Sequence, residues 1–255
     1  MRVSEEEKEN RKRKVRAAAA LLLCCLLGGA AGSCRTYADT LKTSDVEAGG
    51  TVTFGAYEQI EGQYGEEDLE WLVLEKEEDE GRALLITVDC IECMPYHGEK
   101  KEITWEDSSI RQWLNGPFLQ EAFSEEELDQ IVQVDVETRV NEEFDQEGSV
   151  TTSDRVFLLD DEEVRAYFPT KSDRMAHASE VIRDQLEEED DSDSGESLKP
   201  AVSELSDAAF WWLRTPGDRQ DCAECVGAEG SIVSAGYLVV QGNFGVRPAL
   251  WVDLD

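Results

Sequence analysis

Four cysteines pose the first chemical question. Cys90-Ile-Glu-Cys93 and Cys222-Ala-Glu-Cys225 form two CxxC pairs, a spacing shared by disulfides, redox dithiols and zinc sites. A zinc site needs both pairs to converge, yet 128 residues separate Cys93 from Cys222, far from a zinc-ribbon spacing. Neither pair adjoins the Trp or Pro of a thioredoxin-type motif. Disulfides, with three possible connectivities, or free thiols are therefore expected at Cys90, Cys93, Cys222 and Cys225, with no metal and no cofactor. The only histidines are His97 and His177, and neither has a Ser, Cys or Asp nearby in sequence arranged as a nucleophile system. His97 follows Cys93 at Cys-x3-His spacing, but a surface turn accounts for it better. Carboxylates are so numerous that choosing two as an acid/base pair is arbitrary. No catalytic residue is assigned.

A second set of residues points to anchoring. Trp211-Trp212-Leu213-Arg214 and Arg247-Pro248-Ala249-Leu250-Trp251 place an arginine beside tryptophans twice. Guanidinium groups stack on aromatic faces and take carboxylates bidentately. Trp211, Trp212, Arg214, Arg247 and Trp251 are thus expected to be structural, each arginine with a carboxylate partner, or else to line a ligand cleft. The six tryptophans are expected to supply much of the core.

The elements that must position these groups are short. Strands are expected from Thr51 to Gly55, Leu69 to Leu74 and Arg82 to Val88, the last two joined as a hairpin by the acidic turn Glu77 to Gly81. Ser108 opens a helix whose Ile110, Trp113 and Leu114 share one face, and Gly116-Pro117 is expected to stop it. Ser124-Glu-Glu-Glu127 reads as a capping box for a helix to about Ile131. Val132 to Val136 and Val156 to Leu159 read as strands, and Asp160 caps a helix from Asp161 to Tyr167. Strands at Ala209 to Leu213, Ser231 to Val233, Gly236 to Val240 and Val246 to Val252 complete the chain. The Gly-rich stretch Gly227 to Gly245 supplies hairpin turns rather than a phosphate loop. With no regular βαβ alternation, the fold class is α+β: short antiparallel strands with short inserted helices.

Charge and the N-terminus bound the function. The chain has 24 basic and 58 acidic residues, a net charge of −34. Residues 1–33 hold seven basic and four acidic side chains, which leaves −37 on the rest. A body this acidic repels phosphate backbones, which excludes nucleic acid as a partner. The basic cluster Arg11 to Arg16 precedes an uncharged, mostly apolar run at residues 17–31. Fifteen helical residues span only about 22 Å, short of a bilayer core, so residues 1–33 read as an export signal. Ala31-Gly-Ser-Cys34 resembles a bacterial lipobox, with Ala where Leu is usual three positions before the cysteine. Lipidation of Cys34 is expected, giving an exported protein tethered at the cell surface. Ordinary cleavage after Ser33 or Ala38, giving a secreted protein, and an uncleaved anchor are the alternatives. Residues 34–49 read as a tether and 50–255 as one domain. Residues 184–200 carry eight acidic side chains and read as a disordered acidic insertion. Aligned as a calcium loop on Gly195, they place Ser192, Ser194 and Ala201 at ligand positions, so that pattern fails.

Four stretches resemble a bacterial domain-of-unknown-function family numbered six-two-seven-three. They are Val52-Thr-Phe-Gly-Ala-Tyr-Glu-Gln with Glu70-Trp-Leu-Val-Leu, Thr104-Trp-Glu with Ile110-Arg-Gln-Trp-Leu-Asn, Val156-Phe-Leu-Leu, and Trp211-Trp-Leu-Arg-Thr-Pro-Gly with Gly245-Val-Arg-Pro-Ala-Leu-Trp. The resemblance covers about residues 50–255. It implies a single C-type-lectin-like domain and brings no activity with it. The acidic insertion and the two CxxC pairs depart from the family pattern. The functional expectation is a binding or interaction module with an extracellular ligand or protein partner. A redox enzyme related to formylglycine-generating enzymes, using Cys222 or Cys225, and a structural lipoprotein without a small ligand are the alternatives.

Overall fold

A computed structural model describes residues 40–57, 67–141, 149–178 and 208–254. The expected export signal at 1–33, Cys34 and the acidic insertion at 184–200 lie outside these residues. Among the described residues, no helix is long and apolar enough to cross a membrane.

The chain runs β1 (Thr51–Tyr57), β2 (Glu67–Glu77), β3 (Arg82–Thr87) and β4 (Glu92–Cys93). Next come α1 (Ser109–Trp113), a π-helical turn (Leu114–Phe118), α2 (Leu119–Ala122) and α3 (Glu125–Gln130). Then follow β5 (Ile131–Val132), β6 (Val134–Thr138), β7 (Val150–Asp154), β8 (Val156–Phe157), α4 (Asp161–Tyr167), α5 (Lys171–Arg174) and β9 (Ala176–His177). The last six strands are β10 (Ala208–Ala209), β11 (Trp211–Pro216), β12 (Cys222–Val226), β13 (Ile232–Leu238), β14 (Gly245–Val246) and β15 (Ala249–Asp253). The α+β expectation holds.

Two sheets carry the core. One has the order β1-β2-β3-β15-β5, with β8 also on β15, and the other has the order β13-β12-β11-β14-β4. Pairing is antiparallel except between β11 and β14, where Trp211 lies opposite Gly245. Two-stranded ribbons β6–β7 and β9–β10 complete the ladder set.

The sheets are joined at a seam. Ala249 to Asp253 of β15 pair with Ile86 to Arg82 of β3 in the first sheet. Gly245 and Val246 of β14 pair with Cys93 and Glu92 of β4 in the second. One antiparallel ladder thus passes from sheet to sheet, and only Arg247 and Pro248 bridge it on one side while residues 88–91 bridge it on the other. The ladder stays bonded across the gap: the Thr87 N–H donates to Pro248 O at 3.0 Å and the Ile91 N–H to Val246 O at 3.0 Å. Of the extra residues, Cys90 donates its N–H to His177 O of β9. An extended backbone before Pro248 is what the proline ring favours.

Local sequence explains the helix ends. Ser124 accepts from the Glu127 N–H while Glu127 accepts from the Ser124 N–H, the expected capping box. The Glu127 side chain also accepts from the Gly55 N–H at 3.0 Å, tying α3 to β1. Asp160 and Glu163 form a second box on α4, and Thr170 with Asp173 a third on α5, a helix the sequence reading missed.

Two expectations are corrected. Gly116-Pro117 does not stop the helix, because the chain widens into a π-helical turn containing Pro117 and continues as α2. The wider turn accommodates a residue without an N–H, and burial of Leu114 and Phe118 holds it there. The stretch read as a tether at 34–49 is packed over its described part: Leu41 and Val46 are buried, and the Gln130 amide bonds the Leu41 backbone both ways at 2.9 Å. The tryptophans supply much of the core as expected: Trp71, Trp105, Trp211 and Trp212 are wholly buried, and the partly buried Trp113 and Trp251 pack against it.

Candidate functional site

Trp211, Trp212 and Arg214 share β11, yet the alternation of a strand sends them to different neighbours. The Trp211 indole N–H donates to Arg174 O and that of Trp212 to Met94 O, each at 3.0 Å. Trp212 packs with Tyr96 and Phe244, at centroid separations of 5.8 and 4.5 Å.

Arg214 is buried and fully engaged. Its Nη1 donates to Glu163 Oε2 at 2.5 Å and to Leu158 O at 2.8 Å. Its Nη2 donates to Asp160 Oδ2 at 2.8 Å, Glu163 Oε1 at 3.0 Å and Glu137 O at 3.0 Å. Its Nε reaches Glu137 O at 3.2 Å. The carboxylates are the capping residues of α4, so the box that starts the helix also neutralises the arginine. The face of Arg214 lies 5.9 Å from the Phe157 ring rather than on a tryptophan.

Arg247 sits in the seam, 3% exposed. Its guanidinium lies 5.1 Å from the Phe168 ring and 5.2 Å from Trp211. Its Nε donates to Thr87 O at 2.8 Å, but Nη1 has no hydrogen-bond partner. The expected aromatic faces are present. The expected carboxylate is not, since no ion pair reaches Arg247 among the described residues. Burial pushes this guanidinium down to about 10, so it keeps its charge at neutral pH.

Two clefts flank the segment Glu137 to Val140. The larger, about 510 Å³, is walled by Trp251, Arg82, Phe157, Arg139 and the Asp160–Glu163–Arg214 cluster, among others. Arg82 stacks over Trp251 at 4.6 Å and pairs with Glu77 at 2.5 Å and Glu80 at 2.9 Å. Arg139 pairs with Glu162. The second cleft, about 320 Å³, is more apolar and includes Tyr96, Trp105, Val140, Thr138 and Cys222. Arg139 and Arg214 line both. Of the residues singled out in the sequence, Arg214 and Trp251 therefore meet at one cleft, whereas Trp211, Trp212 and Arg247 belong to the core.

All four described cysteines are free thiols, and the disulfide expectation is not met. Strands β11 and β14 stand between β12 and β4, so Cys222 and Cys225 lie three strand spacings, about 14 Å, from Cys93. A disulfide needs Cα atoms within about 7 Å. Cys222 and Cys225 themselves are about 10 Å apart along an extended strand. Burial raises all four thiols, pushing Cys90 up to about 12, so none is an activated nucleophile. One pairing escaped the sequence reading. His97 Nδ1 lies 2.9 Å from Ser109 Oγ and accepts the Ser109 N–H at 3.2 Å, across twelve residues with no local signal. It bonds the free first turn of α1, and burial together with Lys101 lowers the imidazole pKa and keeps it neutral. His177, on β9, is exposed.

A family model for a domain of unknown function (DUF6273) matches residues 80–254, from the β2–β3 turn to the end of β15. No curated protein and no solved structure matches the chain.

Proposed function

Because the chain belongs to this family, whose domain has no assigned activity, we propose from the site itself that it is an exported, surface-tethered binding module whose ligand enters the cleft beside Trp251. The observation that carries this reading is the 510 Å³ cleft, of a size suited to a small ligand. Its walls combine a partly exposed indole with charged groups already fixed in ion pairs. Such walls offer a stacking face and oriented hydrogen-bonding groups but no nucleophile and base in register, which suits recognition of a saccharide or a short peptide better than turnover. Export and lipid tethering rest on the basic cluster, the apolar run and Cys34. A C-type-lectin-like core is the fold reading we favour. It is supported by the last strand, β15, lying inside a sheet between early strands. The redox-enzyme alternative is disfavoured by buried thiols whose pKa values are raised.

Glycan and peptide arrays probed with the full chain test the proposal. We expect saturable binding that Trp251→Ala reduces at least tenfold and that Arg139→Ala, at an exposed wall position, weakens. No binder on either array, or binding indifferent to Trp251, overturns it. Intact mass of membrane extracts should show a diacylglycerol adduct at Cys34; a soluble chain with an unmodified terminus removes the tether.

A further inference from the structure

The cleft beside Trp251 is bordered by a strand with one free edge. Residues 132–137 line it in succession, and β6, which makes up most of that stretch, pairs only with β7 among the described residues. Their ladder runs from Val134↔Asp154 to Thr138↔Val150. The N–H of Arg155, the residue after β7, goes to Asn115 Oδ1 and not across to Gln133. Val134 and Asp154 are therefore a pair that exchanges both backbone bonds. By alternation Val136 and Thr138 also bond to β7, while Asp135 and Glu137 turn their N–H and C=O away from it. The Glu137 carbonyl agrees, since it accepts from Arg214 Nε at 3.2 Å and Nη2 at 3.0 Å. The Asp135 N–H, the Asp135 carbonyl and the Glu137 N–H have no partner among the described residues.

The charges on this edge are unpaired as well. Asp135 and Glu137 are exposed, two residues apart on one face of β6, and neither carboxylate has an ion pair among the described residues. Arg82, Arg139 and Arg214 across the cleft are each already held by carboxylates. We propose, resting on the reading that a ligand enters this cleft, that the ligand is an extended basic peptide that adds to β6 as a strand. The peptide residue opposite Asp135 exchanges two backbone bonds with it, and the one opposite Glu137 accepts the Glu137 N–H. Residues opposite each other share a face, so Lys or Arg at alternate positions meets both carboxylates. The peptide residue between them falls on the face of Val134 and Val136 and is apolar. A saccharide offers neither the repeating backbone groups nor the charge, and the net charge of −34 draws a cationic segment in.

The test uses the full chain and a terminally blocked Lys-Val-Lys-Val-Lys peptide. We expect saturable binding that weakens with salt. N-methylation of the lysine nitrogens, which face β6, should weaken it about tenfold. N-methylation of the valine nitrogens, which face away, should not. Both methylated peptides keep every charge, so simple attraction to the acidic body binds all three alike. Asp135→Asn with Glu137→Gln should weaken binding about three- to tenfold and flatten its salt dependence. No binding, equal effects of the two methylations, or indifference to the double variant overturns strand addition. In that case a glycan or another peptide whose binding depends on Trp251 still upholds the cleft. Binding that follows the methylation pattern but ignores Trp251→Ala has the opposite meaning: the edge stands and the stacking role of Trp251 falls.

Discussion

Arg214 and Arg247 are both buried arginines beside β11 aromatics, and both end up against ring faces. Their bonding differs completely. Arg214 meets two carboxylates and two carbonyls supplied by β6, the β8–α4 junction and α4. Among the described residues Arg247 meets one carbonyl, of Thr87, and two rings. A buried charge is costly unless paired, and breaking a pair strands the partner as well. The first arginine is therefore a joint on which several elements depend. The second fills the gap where one ladder passes between two sheets, and its Nη1 has no hydrogen-bond partner among the described residues. Adjacency to tryptophan in the sequence does not separate the two roles; only the partners contributed by distant strands do.

The comparison can be broken most forcefully at Asp160. Asp160→Ala removes both a carboxylate on Arg214 and the α4 cap, and we expect a loss of about 3–5 kcal/mol in urea unfolding with the slope unchanged. A loss under about 1 kcal/mol would mean that Arg214 is not held as described. A smaller effect probes the packing of the seam. A methyl on Gly245 would approach the Cys90 Sγ to 2.5 Å, so Gly245→Ala should cost about 1–3 kcal/mol. Adding Cys90→Ala should recover part of that, and strict additivity of the two changes would show that they do not touch.

The smallest expected effect is a pH dependence at the second-sheet end of the seam. Burial raises the Glu92 carboxyl pKa, opposed by the Cys93 N–H and the Tyr57 hydroxyl. A carboxyl raised on folding contributes stability in its protonated form, complete below its unfolded pKa and lost as pH rises through the folded value. Glu92→Gln should therefore raise the melting temperature at pH 7, and the gain should fade as pH drops below the ordinary carboxylate range. A gain that grows toward low pH would reverse the assignment.

Much of this architecture was legible in the sequence where the signal is local. The β2–β3 hairpin, the Ser124 box and the Asp160 cap are each specified within a few residues. The same locality hid the rest. Asp160 was readable as a cap, but its second oxygen binds Arg214, 54 residues away. Pro117 reads as a stop because a breaker is visible in sequence, whereas the core burial of Phe118 that overrides it is not. His97 and Ser109 meet through a loop, and the seam exists only once β14 and β15 choose different sheets. The Trp251 cleft was legible as residues but not as a place, since Arg82, Phe157 and Arg139 reach it from separate elements.

The contrast between the arginines is tested most directly by urea unfolding of Arg214→Met and Arg247→Met side by side. Arg214→Met strands two carboxylates and should cost about 3–5 kcal/mol. Arg247→Met gives up one hydrogen bond and two ring contacts but also removes an uncompensated buried charge, so its cost should be less than half as large. Equal losses, or a larger loss at Arg247, would contradict the distinction between a saturated and an unsaturated arginine.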